Sequence, residues 1–380
     1  MMRIALILPD LGPSGTRRSL LTLAKGLCIK GCLVDLVVSD GKGVFRDQIP
    51  DGVNLVDFQL GKVTHSSLTR KLVTIIPLIQ YLKAYRPDVV YPVFDYFEII
   101  IASAARLVSF PLKKPPTVVY GIHSDITFLG DFDPFKRFLL ILLKKSILRA
   151  ADAIFAVSKG TADSWARYFG IADRRIKVIY NPVDIENIQK LANYESCSHY
   201  FDSFKIPVIM SMGRLSKEKD FSTLIRAFSI VIEKREARLI ILGDGKERPK
   251  LQKLVDELHL DRFVSMPGFI QNPFPYLKRA TVFVVSSLYE GFSNALVEAM
   301  ALGVPIVSTD CPYGPREILD NGKFGTLVQP GDYKALAEAI LFMLTHPTSP
   351  DDLISRANYF SINKSIDNFF ELLKGANLRG

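Results

Sequence analysis

Short apolar segments alternate with longer amphipathic segments along the whole chain. In the first half the apolar segments are RIALILP, VDLVVSD, DVVYPVF, PTVVYGIH, AIFAVS and KVIYNPV. In the second half they are PVIMSMGR, RLIILGDG, VSMPGF, TVFVVSS, VPIVSTD and TLVQPGD. Buried strands separated by helical patterns are typical of parallel sheets in α/β units. The two series predict an α/β fold with two doubly wound, Rossmann-like domains.

The predicted boundary between the domains lies in a polar stretch without periodicity. This stretch, NYESCSHYFDS, follows the motif Tyr180–Asp184 and extends to about Lys205. We therefore expect one domain over residues 1–190 and a second over 191–360. Ligands of doubly wound sheets bind beyond the carboxyl ends of the strands, so two such sheets facing each other would form a binding cleft.

Composition excludes several classes of protein. The 380 residues are 48% hydrophobic and 23% charged, as in globular proteins. The apolar run at the N-terminus soon meets Pro9 and Asp10 and is interpreted as a strand, and no apolar run reaches the roughly 18 residues of a membrane span. The four cysteines form no CxxC pair, which argues against a zinc site.

Positive charge is concentrated in the first half of the chain. Residues 1–190 contain 26 Lys and Arg against 17 Asp and Glu, whereas residues 191–380 contain 22 of each. This asymmetry is typical of a protein that binds an acidic partner, such as an anionic membrane, a phosphorylated substrate or nucleic acid. A solvated basic surface would give the same asymmetry. No nucleic-acid-binding module accompanies the charge, so a nucleic-acid partner is not expected.

Two strand-to-helix loops of the second half carry candidate ligand-binding groups. Arg214 and Lys219 precede a helix that opens near Asp220. Two cations beside a helix N-terminus can bind a diphosphate, although a solvated basic loop would have the same sequence. Gly243, in LGDG after another strand, would let a ligand approach the backbone.

The segment SSLYEGFSNALVEAM places one carboxylate before a helix and another along it. If the helix begins near Ser293 or Asn294, amides from Gly291 to Ala295 can receive hydroxyl or phosphate oxygens. Glu290 could accept hydrogen bonds from sugar hydroxyls, and Glu298 could bind a second diol such as a ribose. Together with the cations, these groups favour a nucleotide-sugar. The alternatives are an ordinary helical Glu298 and a Glu290 that interacts with the helix dipole. The candidate donor-binding residues of this segment are Glu290, Gly291, Phe292, Ser293, Asn294, Ala295 and Glu298.

The second half of the chain closely resembles the retaining glycosyltransferases of family 4, which have the GT-B fold. The resemblance rests on GRLSKEKD, LGDG, the E-x7-E element within PYLKRATVFVVSSLYEGFSNALVEAMALGVPIVSTDCPYGPREIL, and GTLVQPGD. The first half matches more loosely through SGTRRSLLTLAKGL, YGIHSD and ADAIFAVSKGTADSWARYFGI. The segment YFSINKSIDNFFELL resembles the terminal helix that returns to the first domain, so about 361–380 are expected to join residues 1–190.

The resemblance implies roles for individual residues. Arg214 and Lys219 would bind the donor diphosphate, Glu290 the transferred sugar and Glu298 the ribose. His123, which could also be a structural histidine, would lie near the primary hydroxyl of the sugar and the reaction centre. Gly15 would let the first loop approach the phosphates, although the Gly-Gly usual in the family is Ser14-Gly15 here. His123, Glu290, Arg214 and Lys219 are the candidate catalytic residues.

The resemblance also implies retention of configuration without a metal or other cofactor. The acceptor hydroxyl would attack from the face that the diphosphate leaves, while the cations and helix amides stabilise the leaving group. The sequence alone leaves a covalent role for Glu290 open. The motif DFD at 131–133 looks like a metal-binding DxD, but it precedes Pro134 and a basic helix rather than ending a strand.

The segment PFKRFLLILLKKSILRA, Pro134–Ala150, bears on the acceptor. Leu139, Leu142 and Leu143 form an apolar arc on a helical wheel, whereas Ile141 and Leu148 fall among basic residues. Such a helix suits an anionic bilayer surface, although a core-facing helix with a basic outer face remains an alternative. We expect a carbohydrate acceptor linked to polyprenyl diphosphate, and a protein at the inner face of the cytoplasmic membrane. The late loop CPYGPREIL resembles that of polysaccharide-assembly enzymes that use UDP-sugars.

Other functions are less consistent with the motifs. The alternatives are a GDP-mannose-dependent mannosyltransferase and a sugar-nucleotide epimerase of the same fold. An inactive nucleotide-sugar-binding scaffold protein is disfavoured because every charged position of the donor constellation is intact. A dehydrogenase is disfavoured because DLGPSGTRRSL has G-x-x-G spacing rather than the G-x-G-x-x-G fingerprint.

Overall fold

The computed structural model describes residues 1–60, 73–93, 115–124, 126, 133–172, 175–194 and 206–377. The chain forms two compact units, residues 1–182 with 362–380, and residues 183–361. Each unit is an α/β domain with one parallel sheet, as the alternating pattern predicts.

The first unit contains a seven-stranded sheet in the order β3-β2-β1-β4-β5-β6-β7. All described pairings are parallel. The strands are β1 (Arg3–Asp10), β2 (Leu33–Asp40), β3 (Val53–Asp57), β4 (Val89–Pro92), β5 (Thr117–Ile122), β6 (Ala153–Ala156) and β7 (Ile176–Val178). Edge strand β3 was missed by the sequence analysis, because its residues are only partly buried and form no continuous apolar run.

Five described helices accompany this sheet: α1 (Gly15–Ile29), α2 (Ile75–Tyr85), α3 (Pro134–Ala150), α4 (Lys159–Phe169) and the terminal helix, which is numbered α13 below (Ile362–Asn377). Helix α1 begins where Ser14 accepts a hydrogen bond from the backbone N–H of Arg17 at 3.2 Å. The terminal helix packs on α1, where a Cβ on Gly26 would lie 2.6 Å from side-chain atoms of Ile362 and Ile366. Glycine at 26 therefore sets how closely these helices approach.

The second unit contains a six-stranded parallel sheet in the order β10-β9-β8-β11-β12-β13. Its strands are β8 (Val208–Met212), β9 (Arg238–Leu242), β10 (Val264–Gly268), β11 (Val282–Val285), β12 (Ile306–Thr309) and β13 (Thr326–Val328). Its described helices are α5 (Ile185–Leu191), α6 (Phe221–Lys234), α7 (Arg248–Glu257), α8 (Phe274–Lys278), α9 (Asn294–Ala301), α10 (Pro315–Ile318), α11 (Tyr333–Thr345) and α12 (Pro350–Ala357).

Helix α5 lies with the second unit, not with the first as the boundary at residue 190 would place it. It packs on α8 and α9, and the side-chain amide of Gln189 donates to the carbonyl of Ala301 at 3.0 Å. The division of the chain falls at residue 182 for this reason. The terminal helix α13 belongs to the first unit.

Helix α3 has a different buried face from the one that the helical wheel suggested. Leu148 and Lys144 are buried, with the Lys144 ammonium 2.9 Å from the hydroxyl of Tyr120 and close to the ring of Trp165. Ile141 and Leu143 pack against the buried hydrophobic cluster that contains Tyr120, Leu148 and Trp165. The predicted apolar arc is therefore divided between the core and the surface, since Leu143 faces the core and other members of the arc do not.

The outward face of α3 carries large apolar side chains. These are Phe135, Phe138, Leu139 and Leu142, which are 70%, 56%, 48% and 47% exposed. They follow the i, i+3, i+4, i+7 spacing of a single helix face. The charged residues Lys136, Arg137, Lys145 and Arg149 are exposed on the same helix. Within the described part of the chain, no helix is long and apolar enough to cross a membrane.

Candidate functional site

The loops after β8 and β11 are joined by backbone and serine contacts. A short 3-10 turn at Lys217–Lys219 follows β8 and leads to Asp220, the N-cap of α6, which accepts from the backbone N–H of Thr223. The hydroxyl of Ser286 donates to the carbonyl of Lys219 at 2.9 Å. The backbone N–H of Leu288 donates to the carbonyl of Glu218 at 2.8 Å. These bonds fix the turn at the carboxyl edge of the sheet, because β8 and β11 are adjacent strands.

Lys219 and Glu290 form an ion pair within this scaffold. The distance from Lys219 Nζ to Glu290 Oε1 is 2.6 Å, and the hydroxyl of Ser287 donates to the same carboxylate oxygen at 2.8 Å. The Glu290 side chain is 9% exposed and the Lys219 side chain 26%. An ammonium has three N–H donors, so Lys219 can bind Glu290 and a further anion at once.

The backbone of Glu290 is held by the loop that follows β12. Its N–H donates to the carbonyl of Pro312 at 2.8 Å, and its carbonyl accepts from the N–H of Tyr313 at 3.2 Å. The hydroxyl of Thr309 donates to the carbonyl of Ser287 at 2.6 Å. Burial, with the negative charge of Glu290, raises the pKa of the adjacent Cys311 thiol to about 12.

Helix α9 begins directly after this loop, as predicted. Ser293 is its N-cap, and its side chain makes no capping hydrogen bond to the first turn. The side chain of Phe292 is buried and packs edge-on against Phe360 at 5.6 Å, so at this position only the backbone could bind a ligand. Glu298, along the same helix, is buried. Glu298 therefore differs from a solvent-exposed helical glutamate, and its assignment to the ribose stays a prediction.

Arg214 and Gly243 lie in neighbouring loops of the same sheet edge. Arg214 is exposed, and the described residues include no ion-pair partner for its guanidinium. Gly243 has φ +135°, and a Cβ there would overlap the carbonyl oxygen of Gly213. Glycine at 243 is thus required by the backbone itself, a reason that the sequence analysis did not foresee and that holds with or without a ligand.

The remaining candidate residues, His123 and Gly15, lie in the first unit. His123 directly follows β5, and its Nε2 is 2.5 Å from the hydroxyl of Tyr91 at the end of β4. Gly15 is the first residue of α1, and its neighbour Thr16 lines a small cavity together with His123.

Sequence reasoning missed the groups that hold these residues in place. Ser286 and Ser287 stand four and three residues before Glu290 in the chain, and Tyr91 lies in a segment that was interpreted only as a buried strand. Pairs of small hydroxyl residues at a strand end are a usable signal, since they can hydrogen-bond neighbouring loops. Among the described residues there is no group of three or more His, Cys, Asp or Glu that could hold a metal. Of the motif at 131–133, only Asp133 lies within the described residues.

Comparison with known proteins agrees with this architecture. A sequence profile described as Glycosyltransferase Family 4 matches residues 13–187, and one described as Glycosyl transferases group 1 matches residues 206–346. An uncharacterized glycosyltransferase of Methanocaldococcus jannaschii is 33% identical over 277 residues, which are 67% of this chain and 66% of that protein.

A second relative has a more specific name. The N-acetylgalactosamine-N,N'-diacetylbacillosaminyl-diphospho-undecaprenol 4-alpha-N-acetylgalactosaminyltransferase of Campylobacter jejuni is 34% identical over 208 residues, 55% of this chain and 54% of that enzyme. The matches thus span about two thirds and about half of these relatives' own lengths.

Solved structures share the fold over nearly the whole chain. The structure of Anabaena HepE in complex with UDP and glucose superposes with a TM-score of 0.79 at 22% identity, covering 98% of this chain and 100% of that one. The two parallel-sheet domains are therefore those of a GT-B fold. The chain belongs to the family 4 glycosyltransferases.

Proposed function

We propose that this protein is a retaining glycosyltransferase that moves a hexose or N-acetylhexosamine from a UDP-sugar to a carbohydrate acceptor linked to polyprenyl diphosphate. The observation that carries the proposal is the Lys219–Glu290 pair beside the N-terminus of α9. One cation, one carboxylate and a set of helix amides converge at one edge of the sheet. They match the diphosphate and the hydroxyls of a nucleotide-sugar.

Each residue of this edge would have a separate role in binding the donor. Lys219 would use its remaining N–H donors for a phosphate oxygen, and exposed Arg214 would close on the same diphosphate. Glu290 would accept from hydroxyls of the transferred sugar, and Glu298 from the ribose. The amides of residues 291–295 would bind phosphate or sugar oxygens. Gly243, in a neighbouring loop, would let the donor approach the backbone.

The chemistry follows from the charge that develops during transfer. As the bond from the anomeric carbon to the phosphate oxygen breaks, negative charge grows on the diphosphate, where Arg214, Lys219 and the α9 amides would stabilise it. The acceptor oxygen would form its bond on the same face, and its proton would pass to the departing phosphate oxygen. By the resemblance, His123 would act at the reaction centre, and Gly15 would let the first loop approach the phosphates. These cations would make a metal unnecessary.

The names of similar proteins support the choice of donor and acceptor. HepE was solved with UDP and glucose, which favours a UDP-sugar donor. The Campylobacter relative is named for an acceptor on diphospho-undecaprenol, which favours a lipid-linked acceptor in surface glycan assembly. The excess positive charge of residues 1–190 suits the phosphates of such an acceptor.

A lipid-linked acceptor also requires contact with a membrane, and α3 would supply it. The exposed apolar face defined above carries Phe135 and Phe138, and exposed basic residues lie on the same helix. Apolar side chains can enter the acyl boundary while lysine and arginine bind anionic headgroups. The protein would then work at the inner face of the cytoplasmic membrane, with the first unit binding the acceptor and the second the donor.

Nucleotide release tests the transfer reaction. UDP-, GDP- and ADP-sugars are offered with and without a bacterial polyprenyl-lipid extract, and we expect lipid-dependent UDP release from one sugar. Lys219→Ala should abolish release, whereas Lys217→Ala should retain it, because Lys217 is an exposed lysine of the same turn without a described ion pair. Equal release by the two variants would reject the assignment of Lys219.

Sedimentation with lipid vesicles tests the membrane contact. The protein should bind phosphatidylglycerol vesicles and not phosphatidylcholine vesicles, and Phe135→Ser with Phe138→Ser should weaken binding at least tenfold. Phe342→Ser is the control, because Phe342 is 55% exposed on a helix of the other unit. Unchanged binding of the double variant would rule out this surface.

A further inference from the structure

The surroundings of His123 contain a set of aromatic residues to which the proposed reaction assigns no role. Its ring lies parallel to Tyr91, at an interplanar angle of 21°, and edge-on to Phe155, with ring centroids 6.0 Å apart. Tyr91 is fully buried and contacts Phe155 edge-on at 5.5 Å. A buried tyrosine hydroxyl needs a hydrogen-bond partner, and here the partner is His123 Nε2 at 2.5 Å.

The backbone makes room for this hydroxyl. A Cβ at Gly121 would lie 2.5 Å from the Tyr91 hydroxyl oxygen and 2.8 Å from Cζ of Phe155. The φ of Gly121 is not in the left-handed region, so this glycine is needed for space and not for conformation. The strand that delivers His123 is thus shaped so that Tyr91 can reach it.

The terminal helix closes the same aromatic set. Phe369 of α13 lies 6.2 Å from Tyr91 and 6.2 Å from Phe155, ring centroid to ring centroid. The cavity bordered by these residues has a volume of about 20 Å³, which is room for about one water molecule. The ring of Tyr91 is therefore packed on several sides and has little freedom to turn.

We infer that Tyr91 is a positioning residue for His123, held in place by Gly121, Phe155 and the terminal helix. This inference rests on the proposed function, in which His123 acts at the reaction centre. A neutral imidazole has one donor and one acceptor nitrogen, and a hydrogen bond to either nitrogen restricts the rotation of the ring. By binding Nε2, the Tyr91 hydroxyl fixes the rotation of the ring, and because a hydroxyl can donate or accept, this bond is compatible with either tautomer.

The first experiment measures His123 without measuring activity. Nitrogen-15 NMR of histidine-labelled protein reports the tautomer of each ring, and His123→Ala assigns the His123 signals among the five histidines. We expect Tyr91→Phe to shift the Nε2 signal of His123, because that nitrogen loses its hydrogen bond to the hydroxyl. Tyr81→Phe should leave this signal unchanged, although it removes an equally buried hydroxyl that donates to Asp35 at 2.6 Å.

The second experiment measures transfer with the same variants. Misplacing a reacting group by a fraction of its contact distance costs on the order of tenfold to a hundredfold in rate. Tyr91→Phe should therefore lower kcat by about tenfold or more while the donor KM stays within about twofold. Gly121→Ala should reproduce this loss, because its Cβ displaces the hydroxyl. Tyr81→Phe should retain the wild-type kcat.

The outcomes separate this inference from the proposed function. Unchanged His123 signals in Tyr91→Phe would overturn the positioning role, whatever the activity. Shifted signals together with a fully active His123→Ala protein would overturn the proposed role of His123 and leave Tyr91 without a catalytic effect. Shifted signals with matching losses in Tyr91→Phe and His123→Ala support both.

Discussion

The Lys219–Glu290 pair predicts an asymmetric effect of two substitutions on the stability of the second unit. Glu290 is 9% exposed, so Lys219→Ala leaves a nearly buried carboxylate without its cation. Removing one partner of a fully buried pair costs about 3–5 kcal/mol, and the 26% exposure of Lys219 lets water replace part of the lost interaction. We therefore expect Lys219→Ala to lower the free energy of unfolding by about 2 kcal/mol.

Glu290→Gln should cost less, about 1 kcal/mol, because the amide oxygen can still accept from Ser287 and the lysine that remains can turn toward solvent. In the double variant the uncompensated charge is absent. Its cost should therefore fall below the sum of the single effects by about 1 kcal/mol or more.

Thermal unfolding followed by calorimetry measures these differences. For a unit of residues 183–361, a loss of about 2 kcal/mol corresponds to a decrease in Tm of about 4–8 °C. Lys217→Ala serves as the matched control and should stay within about 1 °C of the wild type. Strictly additive single effects, or a Lys219→Ala protein as stable as the control, would refute the coupling that the geometry implies.

Three further predictions follow from the described structure. The Cys311 thiol, buried and with a pKa raised to about 12, should react with iodoacetamide at pH 8 on the order of a thousand times more slowly than an ordinary thiol, as mass spectrometry of its peptide would show. Gly243→Ala should lower the free energy of unfolding by more than about 3 kcal/mol because of steric overlap, whereas Gly331→Ala, with φ +79° and nothing within 4 Å, should cost only about 1 kcal/mol in urea unfolding. Gly26→Ala should loosen the terminal helix and speed hydrogen exchange there, whereas Gly375→Ala on that helix meets no neighbour and should not.

Each of these three predictions would be contradicted by a specific result. Rapid alkylation of Cys311 in the folded protein would show that the loop after β12 opens readily. Equal costs for the substitutions at Gly243 and Gly331 would mean that the backbone at residue 213 can move away. Unchanged exchange in Gly26→Ala would show that α13 does not depend on close packing against α1.

The strands and the starts of helices α6 and α9 could be predicted from local sequence. Buried parallel strands have apolar side chains on both faces, so their segments stand out as continuous apolar runs. The helix that follows Glu290 was placed correctly because a serine and an asparagine precede an amphipathic pattern. Strand β3 escaped detection because an edge strand with partly buried residues has no such run.

Helix α3 shows where a helical wheel fails. The wheel gives the spacing of apolar residues, but the choice of the buried face depends on neighbouring elements. Here the core accepts Lys144 because Tyr120 offers a hydroxyl and Trp165 an aromatic ring. Tyr120 and Trp165 lie on other elements of the fold, so a helical wheel of this segment alone does not show that Lys144 is buried while Phe135 and Leu142 are exposed.

By itself, the sequence determined the fold class, the family and the identity of the charged residues at the ends of the strands, because these depend on local pattern and motif. Only the tertiary structure decided that Lys219 contacts Glu290 and that Tyr91 contacts His123. Both contacts depend on which strands lie side by side in a sheet, since adjacent parallel strands bring their carboxyl ends together whatever their separation in the chain. The tertiary structure also decided that the hydroxyl of Ser286 donates to the carbonyl of Lys219 and that of Ser287 to the carboxylate of Glu290.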